Sequence, residues 1–151
     1  MYQYYNGYVI REGVEGISGE VLRSLYERIG WVGSALPVWQ SEKFEFAFAN
    51  SAWGFTVWHG DELVGMVRVI SDRMMFASIH DLMVVEGHRK KGIGRKLVEL
   101  CLQKMPHGAW SAQTDPENYE FYKLCGFEMP DNAQATLTYN GFLKARADGH
   151  R

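Results

Sequence analysis

The spacing of apolar residues predicts strands and helices along most of the chain. Helical spacing begins after Ser18, which suits an N-cap, and ends near Gly30. The same spacing predicts helices over residues 41–50, 93–104 and 116–126, and strand patterns cover residues 8–11, 55–58, 63–70, 77–85, 108–113 and 135–139. The strands at 55–58 and 63–70 flank His59-Gly60-Asp61, a turn sequence typical of a hairpin. This order predicts an α/β domain with a mixed sheet and helices packed on it.

Composition and charge narrow the class of protein. A chain of 151 residues with 46% hydrophobic and 23% charged residues fits a single folded domain over residues 1–151. Its net charge of -2 gives no general attraction to nucleic acid or to an anionic membrane, so we expect neither as a partner. The sequence shows no apolar run long enough for a membrane span and no secretory signal. The two cysteines form no CxxC pair, which suits the reducing cytoplasm where we expect the protein to act.

Residues 89–96 form a basic, glycine-containing loop between a predicted strand and a predicted helix. They hold five of the sixteen Lys and Arg residues. Gly92 and Gly94 leave backbone N–H groups open to close approach at the helix start, where the helix dipole favours an anion such as phosphate. Ile93 and Gly94 stand where a P-loop has Lys and Ser or Thr, and Leu97 replaces the third glycine of a dinucleotide fingerprint, so both of those loops are excluded. A solvated basic loop that caps a helix stays open as the alternative.

Three sequence segments share the spacing of a known family. They are Leu82-Met83-Val84-Val85, the Arg89-x-x-Gly92-x-Gly94 loop, and Asn118-x-x-Phe121-Tyr122-x-x-x-Gly126-Phe127. Together they resemble the GNAT superfamily of N-acetyltransferases, and the resemblance covers residues 63–139. It implies a GNAT-like acyl-CoA N-acyltransferase fold, an α/β fold whose mixed, mostly antiparallel twisted sheet is flanked by helices. It also implies acetyl-CoA as a co-substrate.

The resemblance implies roles for individual residues. The loop residues would hold the pyrophosphate of coenzyme A through backbone N–H groups, assisted by Lys and Arg side chains: Arg89, Lys90, Lys91, Gly92, Ile93, Gly94 and Arg95. Met83 and Val84 would pair through their backbone with the pantetheine arm, and an N–H there would polarise the thioester carbonyl. Asn118 could reach the cofactor arm, although many relatives have an asparagine where this chain has Asp115. Glu86-Gly87 also departs from the common proline-containing form of this turn.

Direct attack of an amine on a thioester requires proton transfers. An unperturbed primary amine has a pKa of about 10.4, so its deprotonation at pH 7 costs about 4 to 5 kcal/mol. Tyr122 suits the general acid that protonates the leaving thiolate, a role that the matching tyrosine often has in GNAT enzymes; a packed tyrosine is the alternative. His80 is expected to share a strand face with Leu82 and Val84 and to act as the base, like a histidine of serotonin-type acetyltransferases. A packed or surface histidine and a water chain are the alternatives, and Asp81 is expected on the opposite face in a structural role.

The acceptor amine and the oligomeric state are left open by the sequence. Trp31, Trp39 and Phe44 could form an aromatic wall for an amine, or they could belong to the core. No metal-binding motif is found, so no metal is expected. We therefore expect an acetyl-CoA-dependent N-acetyltransferase that acts on a primary amine of a small molecule or a protein, with a homodimer as one possible state. A coenzyme A-binding module without turnover and RNA binding through residues 89–96 are the alternatives.

Overall fold

In the part of the chain that the structure describes, the sheet contains six strands in sequence order. The computed structural model describes residues 1–33, 38–129, 137 and 139–149. Within these the strands are β1 (Tyr2–Tyr5), β2 (Tyr8–Glu12), β3 (Trp53–His59), β4 (Glu62–Ser71), β5 (Phe76–Val84) and β6 (Ala109–Ala112). Neighbours from β1 to β5 are antiparallel, and β5 pairs with β6 in parallel. The predicted mixed, mostly antiparallel sheet is therefore confirmed.

Helices pack against both faces of this sheet. The described helices are α1 (Gly19–Ile29), α2 (Val38–Ala49), α3 (Ile93–Lys104), α4 (Tyr119–Leu124) and α5 (Gly141–Ala147). Val67 of β4 belongs to the same apolar cluster as Leu97 of α3, whereas Met66 belongs to the cluster that contains Leu22 of α1 and Phe48 of α2. Because successive strand residues point to opposite faces, the sheet has an α3 face and an α1/α2 face. None of the helices in the described ranges is long and apolar enough to cross a bilayer.

Helix α1 shows why the predicted boundaries hold. The Ser18 hydroxyl accepts a hydrogen bond from the N–H of Val21 at 3.3 Å, which caps the first turn. Gly30 ends the helix with φ 88°, a left-handed conformation that glycine adopts without steric cost. Leu22 and Leu25 are each 1% exposed, so the apolar side of the helix lies on the sheet. These caps and this apolar stripe confirm the predicted helix.

Some predicted elements differ in extent from the observed ones. The helix predicted over residues 116–126 is a 3-10 turn at Pro116–Asn118 followed by the short helix α4. The strand predicted over residues 135–139 lies outside the described residues, except for residues 137 and 139, which are not in a strand. Strand β1 and helix α5 have no predicted counterpart.

Strand β5 contains a β-bulge at Asp81. Arg68 of β4 pairs with His80 and Met66 pairs with Met83, so two residues of β5, Asp81 and Leu82, lie opposite one residue of β4. Asp81 has φ 51°, a left-handed conformation that is unusual for a residue other than glycine. The alternation of side chains is therefore interrupted in the middle of the strand.

The bulge corrects the expectation that His80, Leu82 and Val84 share one face. Leu82 and Val84 pack against the cluster on the α3 face. His80 lies directly opposite Arg68, which is bonded to Asp81 on the α1/α2 face, where Tyr26 of α1 also contacts Asp81. The expectation was wrong because simple alternation does not hold across a strand that carries an extra residue. His80 and Asp81 thus lie on the α1/α2 side.

Candidate functional site

Within the described residues, the end of β5 has no strand paired to it on the side away from β4, and this side is called the free edge. The pairing of β5 with β6 ends at Ile79 and Ala112, while β5 itself continues to Val84. The N–H of Val85 donates to the carbonyl of Val64 at 2.8 Å, so alternation turns the N–H and C=O of Val84 away from β4. Arg89 supports this orientation because its Nε donates to the Val84 carbonyl at 2.7 Å. An extended ligand could therefore form backbone hydrogen bonds along this edge.

The two strand residues expected to bind the cofactor arm have different environments. Val84 directs its backbone polar groups to the free edge, as its bond from Arg89 indicates. Met83 pairs with Met66, and the same alternation directs its N–H and C=O towards β4. Its side chain is 2% exposed and packs on the α1/α2 face. The geometry thus favours the Val84 N–H over that of Met83 as the donor to a ligand.

The loop between β5 and α3 turns through several left-handed residues. Gly87 has φ 92°, Lys90 has φ 62° and Gly92 has φ 80°. Helix α3 then starts at Ile93, and its cap residue Gly92 provides no side-chain hydrogen bond to the first turn. The N–H groups at a helix start need an acceptor, and with the helix dipole they favour an anion. The loop therefore leads into a helix N-terminus without a side-chain cap, and anion binding there stays a prediction.

Gly94 and Phe121 bring the predicted segments together. A Cβ atom at Gly94 would lie 3.3 Å from Cζ and 3.4 Å from Cε2 of Phe121, so α4 packs closely against the first turn of α3. Phe121 also packs on the apolar cluster of the α3 face. The glycine thus has a packing role in addition to the close approach of a ligand that the sequence suggested.

The basic side chains of the loop do not all point outward to solvent. Arg89 is bonded to the Val84 carbonyl, Lys91 Nζ lies 3.4 Å from the Tyr8 hydroxyl, and Lys96 forms an ion pair with Glu99. Arg95 is close enough to Cys125 to lower the pKa of that thiol against the larger effect of burial, which raises it. Backbone N–H groups are therefore the main groups with which this loop could bind an anion, and its side-chain charges contribute less.

Tyr122 lies in an apolar environment on α4. Its ring packs edge-on against Phe121 at 5.1 Å and against Phe127 at 5.5 Å between ring centroids. Burial raises the pKa of Tyr122 to about 12, with smaller contributions from the thiols of Cys125 and Cys101. The phenol therefore carries its proton at neutral pH, as a general acid must.

His80 is half-buried on the α1/α2 face beside a charged pair. Burial lowers its pKa, the positive charge of Arg68 lowers it further, and Asp81 opposes these effects. Arg68 Nε donates to Asp81 Oδ2 at 2.5 Å, and the Tyr26 hydroxyl donates to the same oxygen at 2.6 Å. Burial then raises the pKa of Tyr26, with the Asp81 carboxylate as a further cause. The imidazole is therefore neutral at physiological pH and able to accept a proton.

Aromatic residues from α2 and from the segment just after α1 surround Tyr26. Phe44 stacks on Tyr26 with 4.4 Å between ring centroids, and Trp31 packs edge-on at 6.0 Å. Trp31 is 54% exposed, whereas Phe44 is partly buried in the cluster of the α1/α2 face. The side chain of Trp39 lies outside the described residues. Trp31 and Phe44 thus surround Tyr26, whose hydroxyl is bonded to Asp81.

Asn118 has a local hydrogen-bond partner. Its Nδ2 donates to Thr114 Oγ1 at 3.0 Å, and it is the last residue of the 3-10 turn before α4. Asp115 occupies the cap position of the same turn. A contact of Asn118 with a cofactor arm stays a prediction.

The structure also adds residues that the sequence did not single out. Tyr5, Asn6 and Tyr8 of the first hairpin contact the loop before α3, and Tyr26 and Arg68 form the hydrogen-bond network around Asp81. Asn6-Gly7 is a turn sequence of the type that closes two-residue hairpins, so the hairpin had a signal in the sequence. Nothing in the sequence marks its contact with a loop more than 80 residues away.

Acetyltransferases are among the proteins whose sequences are similar to this chain. A histone acetyltransferase of Glycine max is 28% identical over 128 residues, which cover 78% of this chain and 55% of that protein. The chain spans about a third to about a half of the length of this and two further plant relatives.

Solved structures have the same fold. A GNAT family acetyltransferase of Streptococcus pneumoniae superposes with a TM-score of 0.74 at 24% identity, over 88% of this chain and 98% of that one. An aminoglycoside acetyltransferase from an uncultured soil sample superposes with a TM-score of 0.61 at 19% identity, over 89% of this chain and 96% of that one. The model of the acetyltransferase (GNAT) family matches residues 20–127, and the chain therefore belongs to the GNAT family of acetyltransferases, which transfer acyl groups from acyl-CoA.

Proposed function

We propose that this protein transfers the acetyl group of acetyl-CoA to a primary amine by direct attack. The observation that carries the proposal is the free edge of β5 at Val84, which leads directly into a glycine loop and the start of α3. Such an edge suits an extended amide-containing arm, and such a helix start suits a pyrophosphate. The two features follow each other along the chain in the order in which these groups occur in coenzyme A.

The residues present fit the cofactor on both counts. Gly92 and Gly94 carry no side chain at the helix start, where a Cβ at Gly92 would lie 2.6 Å from the Tyr5 hydroxyl and one at Gly94 would contact Phe121. The N–H groups of Ile93 and of the residues next to it would hold the pyrophosphate, with the charges of Lys90 and Arg95 nearby. The Val84 N–H would donate to the arm or to the thioester carbonyl, where it would stabilise developing negative charge.

The proposed acid and base approach the reacting groups from different elements. Tyr122 on α4 would protonate the leaving thiolate, since its raised pKa keeps the phenol protonated. His80 would accept a proton from the amine, either directly or through a water, since its lowered pKa keeps the imidazole neutral. Because His80 lies on the α1/α2 face, the amine would approach from that face, past Trp31 and Phe44.

The test measures release of free thiol from acetyl-CoA with a panel of amines that includes small amines, aminoglycosides, polyamines and lysine peptides. The proposal expects amine-dependent release above the hydrolysis rate for at least one class, together with the acetylated amine by mass spectrometry. Binding of coenzyme A without turnover on any amine would contradict the proposed reaction and favour a binding module. Transfer of another acyl group in preference to acetyl would show that the donor is a different acyl-CoA.

A further inference from the structure

The tip of the β1–β2 hairpin lies against the loop that precedes α3. Asn6 and Gly7 turn with φ of 49° and 85°, as a tight hairpin turn with two left-handed residues requires. Asn6 Nδ2 lies 3.5 Å from the carbonyl oxygen of Lys91, and the Tyr5 hydroxyl lies 3.5 Å from the carbonyl oxygen of Gly92. Both contacts from the hairpin therefore go to carbonyl oxygens of the loop.

Tyr8 connects the hairpin to both ends of the same loop. It is 4% exposed, and its hydroxyl lies 2.8 Å from His88 Nδ1 and 3.4 Å from Lys91 Nζ. The rings of His88 and His59 pack on the Tyr8 ring at 5.6 and 5.4 Å between centroids, and Lys91 Nζ lies 5.9 Å from that ring's centre. One buried phenol thus joins a residue before the left-handed turn at Lys90 to a residue after it.

The loop needs such support because its backbone is held in an uncommon conformation. Lys90 has φ 62° although it carries a side chain, which costs conformational energy unless the surroundings hold it in place. In addition, the Asn6 contact holds the carbonyl of Lys91 on the hairpin side of the loop, while the carbonyl of Gly92 meets Tyr5 and also accepts from the N–H of Lys96 in the first turn of α3. This leaves the N–H groups at the start of α3 free to face a ligand on the other side.

We propose that the β1–β2 hairpin is a brace that positions the loop of residues 86–92 for anion binding, with Tyr8 as its main positioning residue. The inference rests on the proposed function, since the anion in question is the pyrophosphate of the acyl donor. It goes beyond that function because it assigns a task to the hairpin, which itself lies outside the matched family region. Tyr8 acts through the loop and touches neither reacting group.

The test compares Tyr8→Phe with Tyr4→Phe, a matched control on the same hairpin whose side chain is 87% exposed. Titration calorimetry with coenzyme A should give a Kd about 3- to 10-fold higher for Tyr8→Phe, the effect of one lost hydrogen bond, and an unchanged Kd for Tyr4→Phe. In steady-state assays, KM for acetyl-CoA should rise while kcat at saturation stays within twofold. Amide hydrogen exchange in residues 86–92 of the free protein should become faster in Tyr8→Phe only.

A second pair of variants keeps the inference testable if Tyr8→Phe does not fold. His88→Asn can place an oxygen near the position of Nδ1 and should retain most of the affinity for coenzyme A. His88→Leu removes the partner of the Tyr8 hydroxyl and should raise Kd by the same factor as Tyr8→Phe. Equal Kd values for the wild type and both members of a variant pair would overturn the brace and leave the proposed function intact. A loss confined to kcat would also overturn it. No binding of coenzyme A by the wild type would overturn the proposed function itself, and the brace with it.

Discussion

Gly65 of β4 lies against the backbone of β5 at the proposed cofactor edge. A Cβ atom at this position would lie 2.8 Å from the carbonyl oxygen of Met83, about 0.6 Å short of the 3.4 Å at which ordinary contact begins. The obstacle is a backbone atom, so it cannot rotate away as the end of a side chain would. The Cβ of Val57, at 3.5 Å, limits movement on the other side. Gly65→Ala must therefore push β5 away from β4 next to Val84.

We expect Gly65→Ala to lower the free energy of unfolding by about 1 to 3 kcal/mol, the usual cost of overpacking a closely packed interior. The loss of backbone freedom in the unfolded chain offsets only about 0.4 to 1 kcal/mol of this cost. Because the displaced strand carries the Val84 N–H, kcat/KM for acetyl-CoA should also fall, by about tenfold or more, since a 1 Å error in position can cost about a hundredfold.

Urea denaturation and thiol-release kinetics measure the two effects. Gly33→Ala is the control, because a Cβ atom there would have no atom of the described residues within 4 Å. The urea midpoint of Gly65→Ala should fall with an unchanged slope, while the control keeps both the midpoint and the activity of the wild type. If Gly65→Ala has the stability and activity of Gly33→Ala, the close contact between Gly65 and Met83 has no consequence and the reasoning is refuted.

Three further predictions concern single side chains. Tyr122→Phe should lower kcat by about a hundredfold or more, the usual range for general acid catalysis, with the Kd of coenzyme A within twofold; unchanged kcat would exclude Tyr122 as the acid. His80 must be neutral to act as a base, and burial and Arg68 lower its pKa below 6.5, so kcat/KM should fall with acid only below pH 6.5. This acid limb should move to higher pH in Arg68→Gln and disappear in His80→Gln. A limb that stays in place in both variants would contradict the role of His80 as the base. The backbone N–H of Met74, and then those of residues 75 and 76, donate to the Asp72 carboxylate and hold its pKa below 3.8. The stability that this carboxylate provides is therefore present above pH 3.8 and is lost as pH falls through the pKa of Asp72 in the folded protein. Asp72→Asn should therefore show a smaller loss of urea stability than the wild type between about pH 5 and pH 2.

Local signals in the sequence were sufficient for most of the fold. The cap at Ser18, the glycine at Gly30 and the apolar spacing between them define α1 without reference to the rest of the chain. The start of α3 is equally local, since Gly92 adopts with φ 80° the left-handed conformation that precedes the helix. The sequence marked Phe121 only as part of a spaced motif, and its packing on Gly94 is a finding of the structure.

The bulge in β5 could not be predicted from the sequence, because it depends on contacts between distant residues. The bulge at Asp81 has no local signature, because aspartate is compatible both with a regular strand end and with a left-handed conformation. It decides which face His80 occupies, and so the simple alternation of strand residues gave the wrong answer. Strand β1 was missed for a different reason: Tyr2 and Tyr4 are 67% and 87% exposed and form no buried apolar pattern, although Asn6-Gly7 was a local signal for its hairpin.

The account depends most on the claim that the Val84 edge and the Gly92 loop bind the acyl donor. Thermal unfolding of the wild-type protein with and without desulfo-coenzyme A tests this claim without requiring an acceptor or turnover. A ligand present at 100 times its Kd stabilises the folded state by about 2.7 kcal/mol, which raises the Tm of a domain of this size by about 5 to 11 °C. We predict such a rise with desulfo-coenzyme A, and a much smaller one with pantetheine, which lacks the pyrophosphate. No shift at millimolar desulfo-coenzyme A would contradict the site and, with it, the proposed function.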